Sequence, residues 1–498
     1  MKVSEKLVIH PAPVEEESAT DYALTVNGLP VFTHRARVSA QPFNQVWPGY
    51  QRPLDQTEIA SFATWDMAEP VRVKIVSTRP VKEVRVRPRS YGIKPQVKGD
   101  TIRFTVRRPG QLTVEVNGTH RALHLFANPL EEDAPDPKDS RVRYFGPGVH
   151  CPGIIRLESD QIVYLAGGAV VYGAIAAEKA DHIAIRGRGI LDGSKFSRSE
   201  VGGLLNILGC TGVTIEGIIL RDPVLFAVAP VVCREVHIRN IKLIGLWRYN
   251  SDGIDFINSR QCSVEDSFVR SFDDSIVFKG LKAWRGFPGN AESVQDIRVR
   301  RCVVWNDWGR SLEIGAETVA HEISDLLFED CDVIHTAHIA MDVQNCDRAL
   351  CRNLVFRNIR VEFDDDFTRP VIQERREMKY AVKSGSGTGL RFTLAERKKM
   401  KYAVAPDGPY IPCLIVLEIS ECRVSKDTVR GHVRDILFKD IEVTVPGVPP
   451  SYLKGCDAEH LVQRVTVENL RINGKVVTST TEGGFTLNKF ARELSVKP

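Results

Sequence analysis

Hydrophobic and polar residues alternate in short runs along most of this chain, and helical periodicity is almost absent. In the second half the runs share one pattern, in which an alternating strand is followed by a polar or glycine turn and a second strand. These repeats begin at His182, Val213, Val236, Cys262, Ile297, Leu326, Leu354, Ile436 and Val465. The starts from Val213 to Leu354 are 23, 26, 35, 29 and 28 residues apart. Strand-rich repeats of this length predict a parallel β-helix.

Two alternative folds are disfavoured. Leucine-rich repeats would need the L-x-x-L-x-L spacing, which is missing, and a large β-sandwich would not need one pattern nine times.

The N-terminal part has a different texture. Short alternating runs are separated by Pro, Gly and Asp, which predicts a small β-sandwich. The runs are Val71–Val76, Val84–Val86, Ile102–Val106 and Leu112–Val116. We therefore predict a β-sandwich domain over 1–128, a proline-rich acidic linker over 129–141 and a β-helix over 142–498. An insertion at about 364–412 interrupts the repeats of the β-helix.

Composition excludes several classes of function. The 498 residues include 67 Lys and Arg against 63 Asp and Glu, a net charge of +4, so charge implies neither nucleic acid nor a membrane surface. No run of about 18 apolar residues predicts a membrane span. The N-terminus lacks an apolar signal region, so a cytoplasmic location is expected, or secretion if the chain is a shortened form. The 11 cysteines lack zinc-site spacing and are predicted to be reduced thiols stacked inside the coils. No metal or cofactor is expected, and the oligomeric state stays open.

Aspartates are densest in two neighbouring segments, Asn250–Asp255 (NSDGID) and Ser271–Ile276 (SFDDSI). Asp273 follows Asp252 by 21 residues, about one coil, so Asp252 and the pair Asp273–Asp274 should stack on one face. Strands of adjacent coils lie about 4.8 Å apart. Carboxylates at so short a distance raise the pKa of one of the groups and leave the others ionised. This is the division between acid and base that glycoside hydrolysis requires.

Aspartate ladders that cap β-helix turns are the structural alternative. Such a ladder accounts for Asp255, Asp266 and Asp330. It does not account for the consecutive Asp273 and Asp274, because a regular strand would direct one of them into the core. We therefore expect a bend or bulge at this pair.

The segments NSDGID and DDSIVFK resemble the motifs N-T-D-G-x-D and D-D-C-x-A-x of glycoside hydrolase family 28, the polygalacturonase family. The resemblance covers roughly residues 144–480, and the N-terminal β unit is reminiscent of family 49, the dextranase and isopullulanase group. It implies an all-β fold with a right-handed parallel β-helix of the pectin lyase type. It also implies an inverting hydrolase of a poly- or oligosaccharide, with Asp273 as general acid and Asp252 and Asp274 as the carboxylates that activate water. Inversion predicts carboxyl groups roughly 6.5–9.5 Å apart.

The other motifs of family 28 depart from the pattern. Trp308–Gly315 (WGRSLEIG) has Arg310 where the family has histidine, and the R-x-K pair that recognises a uronate carboxylate is not found where the family has it. Acidic residues near the cleft, such as Glu317 and Asp342, favour a neutral sugar. The predicted substrate-binding residues are Asn250, Lys279, Trp308, Arg310, Glu313 and Gln344.

Two other functions remain open. A β-helix polysaccharide lyase would use the aspartates as calcium ligands and act on a uronate. A non-catalytic carbohydrate-binding solenoid would bind without turnover. Within the hydrolase hypothesis, the insertion has basic residues and Tyr380, Tyr402 and Tyr410, which predict a closed pocket and exo action.

Overall fold

The computed structural model describes residues 2–4, 6–40, 54, 57–363, 412–422 and 424–498. Nearly every regular element in these residues is a β-strand, with a 3₁₀ turn at Arg89–Tyr91. The predicted fold class, a small β-sandwich followed by a parallel β-helix, is confirmed. Apart from its last residue, Pro412, the predicted insertion lies outside the described residues. Among the described residues, no helix is long and apolar enough to cross a membrane.

Twelve strands form the N-terminal sandwich. They are β1 (Lys2–Ser4), β2 (Leu7–Ile9), β3 (Tyr22–Val26), β4 (Leu29–Val31), β5 (His34–Ser39), β6 (Thr57–Met67), β7 (Val71–Ser77), β8 (Val84–Arg87), β9 (Gln96–Lys98), β10 (Thr101–Val106), β11 (Gly110–Val116) and β12 (Leu123–Asn128). One sheet has the order β1-β2-β6-β12-β11-β8 with β5 paired to β6, and the other has the order β4-β3-β7-β10-β9. Alternation along β7 turns Val73 and Ile75 inward, where they join Trp65 and Leu112 in one buried cluster.

The remaining strands belong mainly to the β-helix. They are β13 (Val142–Phe145), β14 (Gly148–Leu157), β15 (Ile162–Leu165), β16 (Ala169–Glu178), β17 (Ala184–Gly187), β18 (Ile190–Asp192), β19 (Gly203–Leu208), β20 (Thr211–Glu216), β21 (Ile219–Arg221), β22 (Phe226–Val231), β23 (Arg234–Arg239), β24 (Lys242–Ile244), β25 (Ile254–Ile257), β26 (Arg260–Glu265), β27 (Phe268–Ser271), β28 (Ile276–Gly280), β29 (Ala283–Trp284), β30 (Phe287–Pro288), β31 (Val294–Arg300), β32 (Val303–Asn306), β33 (Arg310–Thr318), β34 (Glu322–Glu329), β35 (Asp332–His335), β36 (Ile339–Asn345), β37 (Leu350–Glu362), β38 (Cys413–Ile419), β39 (His432–Thr444), β40 (Ser451–Lys454), β41 (Val462–Ile472), β42 (Lys475–Val476), β43 (Phe485–Leu487) and β44 (Ala491–Lys497).

Parallel pairing from coil to coil arranges these strands in three stacks. Stack A runs through β17, β20, β23, β26, β31 and β34 and continues through β37, β39 and β41. Stack B runs through β18, β21, β24, β27, β32 and β35, and stack C runs through β19, β22, β25, β28, β33, β36 and β38. The chain passes from A to B to C in each coil, so every connection between B and C opens on the same side of the helix. The hairpin β29–β30 is an excursion that follows β28 in stack C.

From Val213 onward, the repeat starts predicted from the sequence are in register with one another. The predicted start His182 is one residue early, because Ala184 pairs with Thr214 and Ile183 therefore lies opposite Val213. Val213 pairs with Val236, and the later starts Cys262, Ile297, Leu326, Leu354, Ile436 and Val465 pair in succession along stack A. Their side chains are buried in one continuous core. The predicted repeat therefore has the correct register over most of the solenoid. The reason is that each apolar side chain must pack on the equivalent side chain of the preceding coil.

Several cysteines lie inside the coils, as predicted. Cys210, Cys233, Cys262, Cys302 and Cys331 belong to the buried core of the β-helix. The backbone N–H of Cys210 lies 3.4 Å from the sulfur of Cys233 in the next coil. These thiols act as small apolar side chains in the core.

The sandwich packs against the outer face of stack B. Apolar side chains from both domains form one buried cluster, in which Phe62 and Phe126 of the sandwich meet Ile219, Ile244 and Phe268 of successive coils. Burial on this scale fixes the two domains together.

A buried ion-pair network also crosses this interface. Arg87, at the end of β8, donates to Glu115 of the sandwich (3.0 Å) and to Glu362 of the β-helix (2.6 Å). All three side chains are 6 % exposed or less. Each charge here depends on its partner, since a buried charge without one is costly.

We expect Arg87→Ala to destabilise the protein strongly. The substitution leaves two buried carboxylates without their shared cation, which costs about 3–5 kcal/mol. Urea unfolding would measure the change. The matched control is Arg141→Ala, which removes an exposed arginine paired with Asp139 and should leave the midpoint unchanged. Equal midpoints for the two variants would contradict a role for this network in holding the domains.

Candidate active site

The three predicted catalytic aspartates lie in connections that lead from stack B to stack C. Asp252 precedes β25, and Asp273 and Asp274 stand between β27 and β28 in the next coil. Their exposed fractions are 2, 6 and 6 %. One carboxylate oxygen from each lies within 4.8 Å of the others. The stacking of two coils thus brings the three side chains to one place.

The chain bends at Asp273, which lets two adjacent aspartates face the same cleft. Strand β27 ends at Ser271, whose hydroxyl donates to the carbonyl of Asp273 (2.7 Å). The side-chain amide of Asn306 donates to the same carbonyl, also at 2.7 Å. Gly309 of the following coil presses against the bend, and a Cβ there would lie 2.7 Å from the Asp274 carboxylate. The bend expected from the sequence is present, and a glycine makes room for it.

Two cations are buried among these carboxylates. The Lys279 ammonium lies 2.7 Å from Asp252, 2.8 Å from Asp255 and 3.4 Å from Asp274. Lys279 therefore has a carboxylate neighbour on each of three sides and is itself only 5 % exposed.

Arg310 has a comparable environment one coil further on. Its guanidinium lies 3.3 Å from Asp342, 3.7 Å from Asp274 and 3.9 Å from Glu313. It also donates to the side-chain oxygen of Gln344 (3.3 Å). The structure thus places Lys279, Arg310, Glu313 and Gln344 around the aspartates. The predicted contacts of these four residues with substrate stay predictions.

The cluster separates the proton affinities of its two adjacent aspartates. Burial, together with the nearby Asp252 and Asp274, raises the pKa of Asp273 well above its usual value. Burial acts in the same direction on Asp274, but Lys279 and Arg310 outweigh it and hold the pKa of Asp274 below its usual value. Asp273 therefore holds its proton to a higher pH than Asp274, whose carboxyl group is the more acidic of the two. Such a pair can donate a proton and accept one in the same cleft.

The surrounding carboxyl groups also bind protons more tightly than usual. Burial raises the pKa of Asp252 against the opposing effect of Lys279. Burial also raises the pKa of Asp255 and of Asp342 to about 7 each, and that of Glu313 well above its usual value. Six acidic groups thus share two cations, and part of the cluster is protonated at neutral pH.

Trp308 and Asn250 lie at the edge of the cluster. The half-buried Trp308 ring stacks on Phe272 with 5.2 Å between centroids and meets Tyr249 edge-on at 5.6 Å. The side-chain oxygen of Asn250 accepts a hydrogen bond from Arg198 (2.5 Å). Their predicted contacts with substrate stay predictions.

One structural interpretation made from the sequence is wrong. Asp255 is not a turn cap, because it lies within β25, faces outward between the inward Ile254 and Phe256, and contacts Lys279. The turn interpretation holds for Asp266 and Asp330, which adopt left-handed backbone angles (φ 52° and 57°). The alternation around Asp255 was a usable signal, since a charged residue between two core residues must point away from the core.

Arg198 was not identified from the sequence. It lies in the connection before β19 and reaches the loop that carries Asp252, where it donates to the Tyr249 carbonyl and to Asn250. No motif marks it, because its role depends on where a loop some 50 residues away along the chain is placed.

Comparison with known proteins gives the fold a precedent. No family model and no curated sequence matches this chain. Among solved structures, Dex49A from Penicillium minioluteum is similar with a TM-score of 0.61 and 15 % identity, over 98 % of this chain and 96 % of that one. A family 28 exopolygalacturonase from Yersinia enterocolitica has a TM-score of 0.49 and 14 % identity, over 86 % of this chain and 96 % of that one. An exopolygalacturonase from Thermotoga maritima has a TM-score of 0.46 and 14 % identity, over 71 % and 83 %.

The first similarity extends over both domains. The predicted resemblance to the β-helix glycoside hydrolases is thereby confirmed in the fold. At this level of identity the likeness concerns the path of the chain, so the chemistry has to be argued from the residues of the cleft.

We expect Glu313→Gln to stabilise the protein increasingly as the pH rises. In the folded state burial raises the pKa of Glu313, so its contribution to stability is present at acid pH and is lost as the pH rises through that value. Glutamine keeps the shape of the protonated acid and cannot ionise. Thermal unfolding at about pH 5 and about pH 8 should show a gain over the unsubstituted chain that is larger at the higher pH. Glu442→Gln, at an exposed position, is the control and should change little with pH. A loss of stability for Glu313→Gln that grows with pH would contradict the raised pKa.

Proposed function

We propose that the protein is a glycoside hydrolase in which Asp273 is the general acid and Asp274, with Asp252, activates water. One observation carries this proposal. Carboxyl groups within 4.8 Å of one another have pKa values displaced in opposite directions, that of Asp273 upward and that of Asp274 downward. Hydrolysis of a glycosidic bond needs an acid for the leaving oxygen and a base for the incoming water.

Each cleft residue has a defined part in the proposed reaction. Asp273 transfers its proton to the glycosidic oxygen as the bond to the sugar carbon breaks. Asp274 accepts a proton from the water that attacks that carbon, and Lys279 and Arg310 keep Asp274 ionised beforehand. Asp252 accepts a hydrogen bond from Lys279 with one oxygen, and its other oxygen has no hydrogen-bond partner among the described residues; we assign this second oxygen to the water.

The separation of the carboxylates differs from the sequence-based expectation. The three side chains approach within 4.8 Å, whereas roughly 6.5–9.5 Å separates the acid and base of typical inverting enzymes. This distance therefore gives no support to inversion. We retain inversion as a proposal for a different reason. A covalent route requires a carboxylate free to attack carbon, and both Asp252 and Asp274 are in contact with Lys279. A water molecule between Asp252 and Asp274 would lie about 2.7–2.8 Å from an oxygen of each, and the short separation of the two carboxylates allows both hydrogen bonds.

The charges of the cleft favour an uncharged sugar. The Lys279 ammonium is 5 % exposed and has three protein carboxyl groups around it, so it has no free side for a uronate carboxylate. The partly exposed Arg310 guanidinium already lies near three carboxyl groups of its own. An anionic residue at this position would also approach Asp274, which is ionised. We therefore propose that the bond cleaved belongs to a neutral residue.

A wall on one side of the cleft supports exo action. Arg285 of the hairpin β29–β30 donates to the carbonyl of Ser199 (3.1 Å), and Arg198 in the same loop donates to Asn250 (2.5 Å). These bonds join the hairpin, the loop and the segment that carries Asp252 on the side of the earlier coils. A polymer would meet this wall, so cleavage near a chain end is the proposed mode. The insertion at 364–412, to which the sequence assigned this role, lies outside the described residues.

A polysaccharide lyase is less well supported. Calcium requires six to eight oxygen ligands, and the Lys279 ammonium already lies 2.7 Å from one of the three candidate aspartates. A lyase would release a product with a new double bond that absorbs ultraviolet light. That signal would contradict the hydrolase proposal.

We expect Asp273→Asn to lower turnover by roughly 10²–10⁴-fold, the usual contribution of a general acid. The fold should remain intact, because asparagine has nearly the same shape. Release of reducing sugar from neutral oligosaccharides, measured beside the circular dichroism spectrum, tests this expectation. Asp296→Asn, which alters an exposed aspartate on stack A, is the control. Normal turnover by a folded Asp273→Asn variant would exclude Asp273 from the mechanism.

We expect the first product to be a short oligosaccharide with inverted anomeric configuration. Proton NMR during the first minutes of hydrolysis reports the anomer before mutarotation, and chromatography of the same sample reports product length. A first product of retained configuration would refute water attack as proposed. Mixed long fragments at the earliest times would instead refute the exo mode and leave the acid and base roles untouched.

A further inference from the structure

A second concave surface lies on the sandwich, and its residues do not overlap with those of the catalytic cleft. It is a groove of about 1040 Å³ on the outer face of the sheet formed by β3, β7, β9 and β10, bordered by the segment around Tyr91. Its lining includes six basic residues and, among the described residues, no aspartate or glutamate. The six are Arg72, Lys74, Lys94, Arg103, Arg107 and Arg108, and all are exposed. We call this surface the basic groove.

The register of the strands concentrates this charge. Lys74 of β7 lies directly opposite Arg103 of β10. On their other sides these two residues pair with Thr25 and Gln96, so the row across four strands contains only neutral and positive side chains. Like charges that face each other across two strands destabilise a sheet. The sandwich therefore has a local repulsion between like charges here, and the part of the chain that the structure describes places no acidic side chain in this row to offset it.

In the β-helix, by contrast, cations at the surface form ion pairs with carboxylates of a neighbouring coil. Arg301 pairs with Asp266 (2.7 Å), Arg360 with Asp332 (2.6 Å) and Arg464 with Asp435 (2.6 Å), in each case from one coil to the next.

Within the described residues, none of the six cations of the basic groove lies within 4.0 Å of a carboxylate; Arg108 instead stacks over the ring of Tyr91. The six groups are thus available to a ligand outside the chain. A concave surface with a single sign of charge concentrates ligands of the opposite sign.

We propose that the basic groove binds an acidic polysaccharide, a polymer with carboxylate groups along its chain. Single-stranded nucleic acid is disfavoured because its binding relies on successive aromatic platforms for the bases. The groove offers only Tyr91, whose ring is already covered by Arg108, and the buried Phe104. Double-stranded DNA is usually read by a helix or a β-ribbon that enters a groove, whereas this surface is itself concave.

The choice of a polysaccharide rests on the proposed function, and it extends that function. In the catalytic cleft both cations lie beside protein carboxyl groups, which suits a neutral residue. In the basic groove, none of the six cations lies beside a carboxylate of the described residues. A substrate that contains both acidic and neutral residues would satisfy the two surfaces together. The basic groove would hold the acidic part of the polymer while a neutral residue enters the cleft.

Binding can be tested apart from catalysis. The full chain with Asp273→Asn is mixed with polygalacturonate, with dextran as an uncharged polymer and with double-stranded DNA, and binding is measured by affinity electrophoresis at low and high salt. We expect polygalacturonate to bind and to be released by salt, because exposed charges are screened beyond about 10 Å at 0.1 M. Dextran should not bind at the basic groove, and DNA should bind more weakly than polygalacturonate.

The double substitution Lys74→Gln, Arg103→Gln locates the binding. It should weaken binding of polygalacturonate about tenfold, as expected for the loss of two surface ion pairs. It should not lower the unfolding temperature, because it removes a repulsion. The control pair Lys138→Gln, Lys475→Gln removes the same charge from exposed positions elsewhere and should leave binding unchanged.

Three results would overturn the proposal. They are absence of polygalacturonate binding at low salt, equal weakening by the two double variants, and tighter binding of DNA than of polygalacturonate. None depends on turnover, so a chain that cleaves no sugar can still pass this test. Conversely, an active hydrolase with no affinity for polygalacturonate would fail here while its proposed function stands.

Discussion

The in-register stacking of parallel coils is the constraint on which the cleft depends. Each strand of the β-helix takes its backbone partners from the coils on either side, so adjacent coils are held about 4.8 Å apart. Ile254 pairs with Ile276 and Ile276 with Leu312. The side chains next to these core residues must therefore approach one another whether or not their charges are compatible. The backbone ladder imposes the crowding of carboxyl groups in the cleft, and the crowding separates their pKa values.

Two cations make that crowding tolerable. A buried carboxylate is costly without a partner, and Lys279 and Arg310 each serve several carboxyl groups at once. They do not serve them equally. Asp274 lies near both cations, which lower its pKa, whereas burial and two neighbouring aspartates raise the pKa of Asp273. The difference between acid and base therefore arises from position relative to two side chains and not from residue type.

Sequence reasoning was accurate where local periodicity decides the structure. The repeat starts are register partners, and the two aspartate segments fall in neighbouring coils, because both follow from the length of a coil. Sequence reasoning failed where the arrangement depends on distances between side chains of different coils. It assigned Asp255 to a turn, expected a wider separation of the carboxylates, and gave no sign of Arg198. Spacing along a chain reports which coil a residue occupies but not how far its side chain reaches.

The net charge of +4 conceals two opposite arrangements. In the cleft, acidic groups outnumber the two cations, and each cation contacts several of these acidic groups. On the sandwich, the antiparallel register sets Lys74 against Arg103, and the described residues that line the basic groove include no acidic side chain. Neither arrangement could be recognised from composition, since each depends on pairing between strands. The cleft holds its charges in a rigid, buried network that suits chemistry on a neutral group. The basic groove of the sandwich leaves its six cations exposed, and none of them lies beside a carboxylate of the described residues, so they can act over a longer range on an anionic partner. A chain that separates its charges in this way is suited to hold one part of a polymer while it reacts with another.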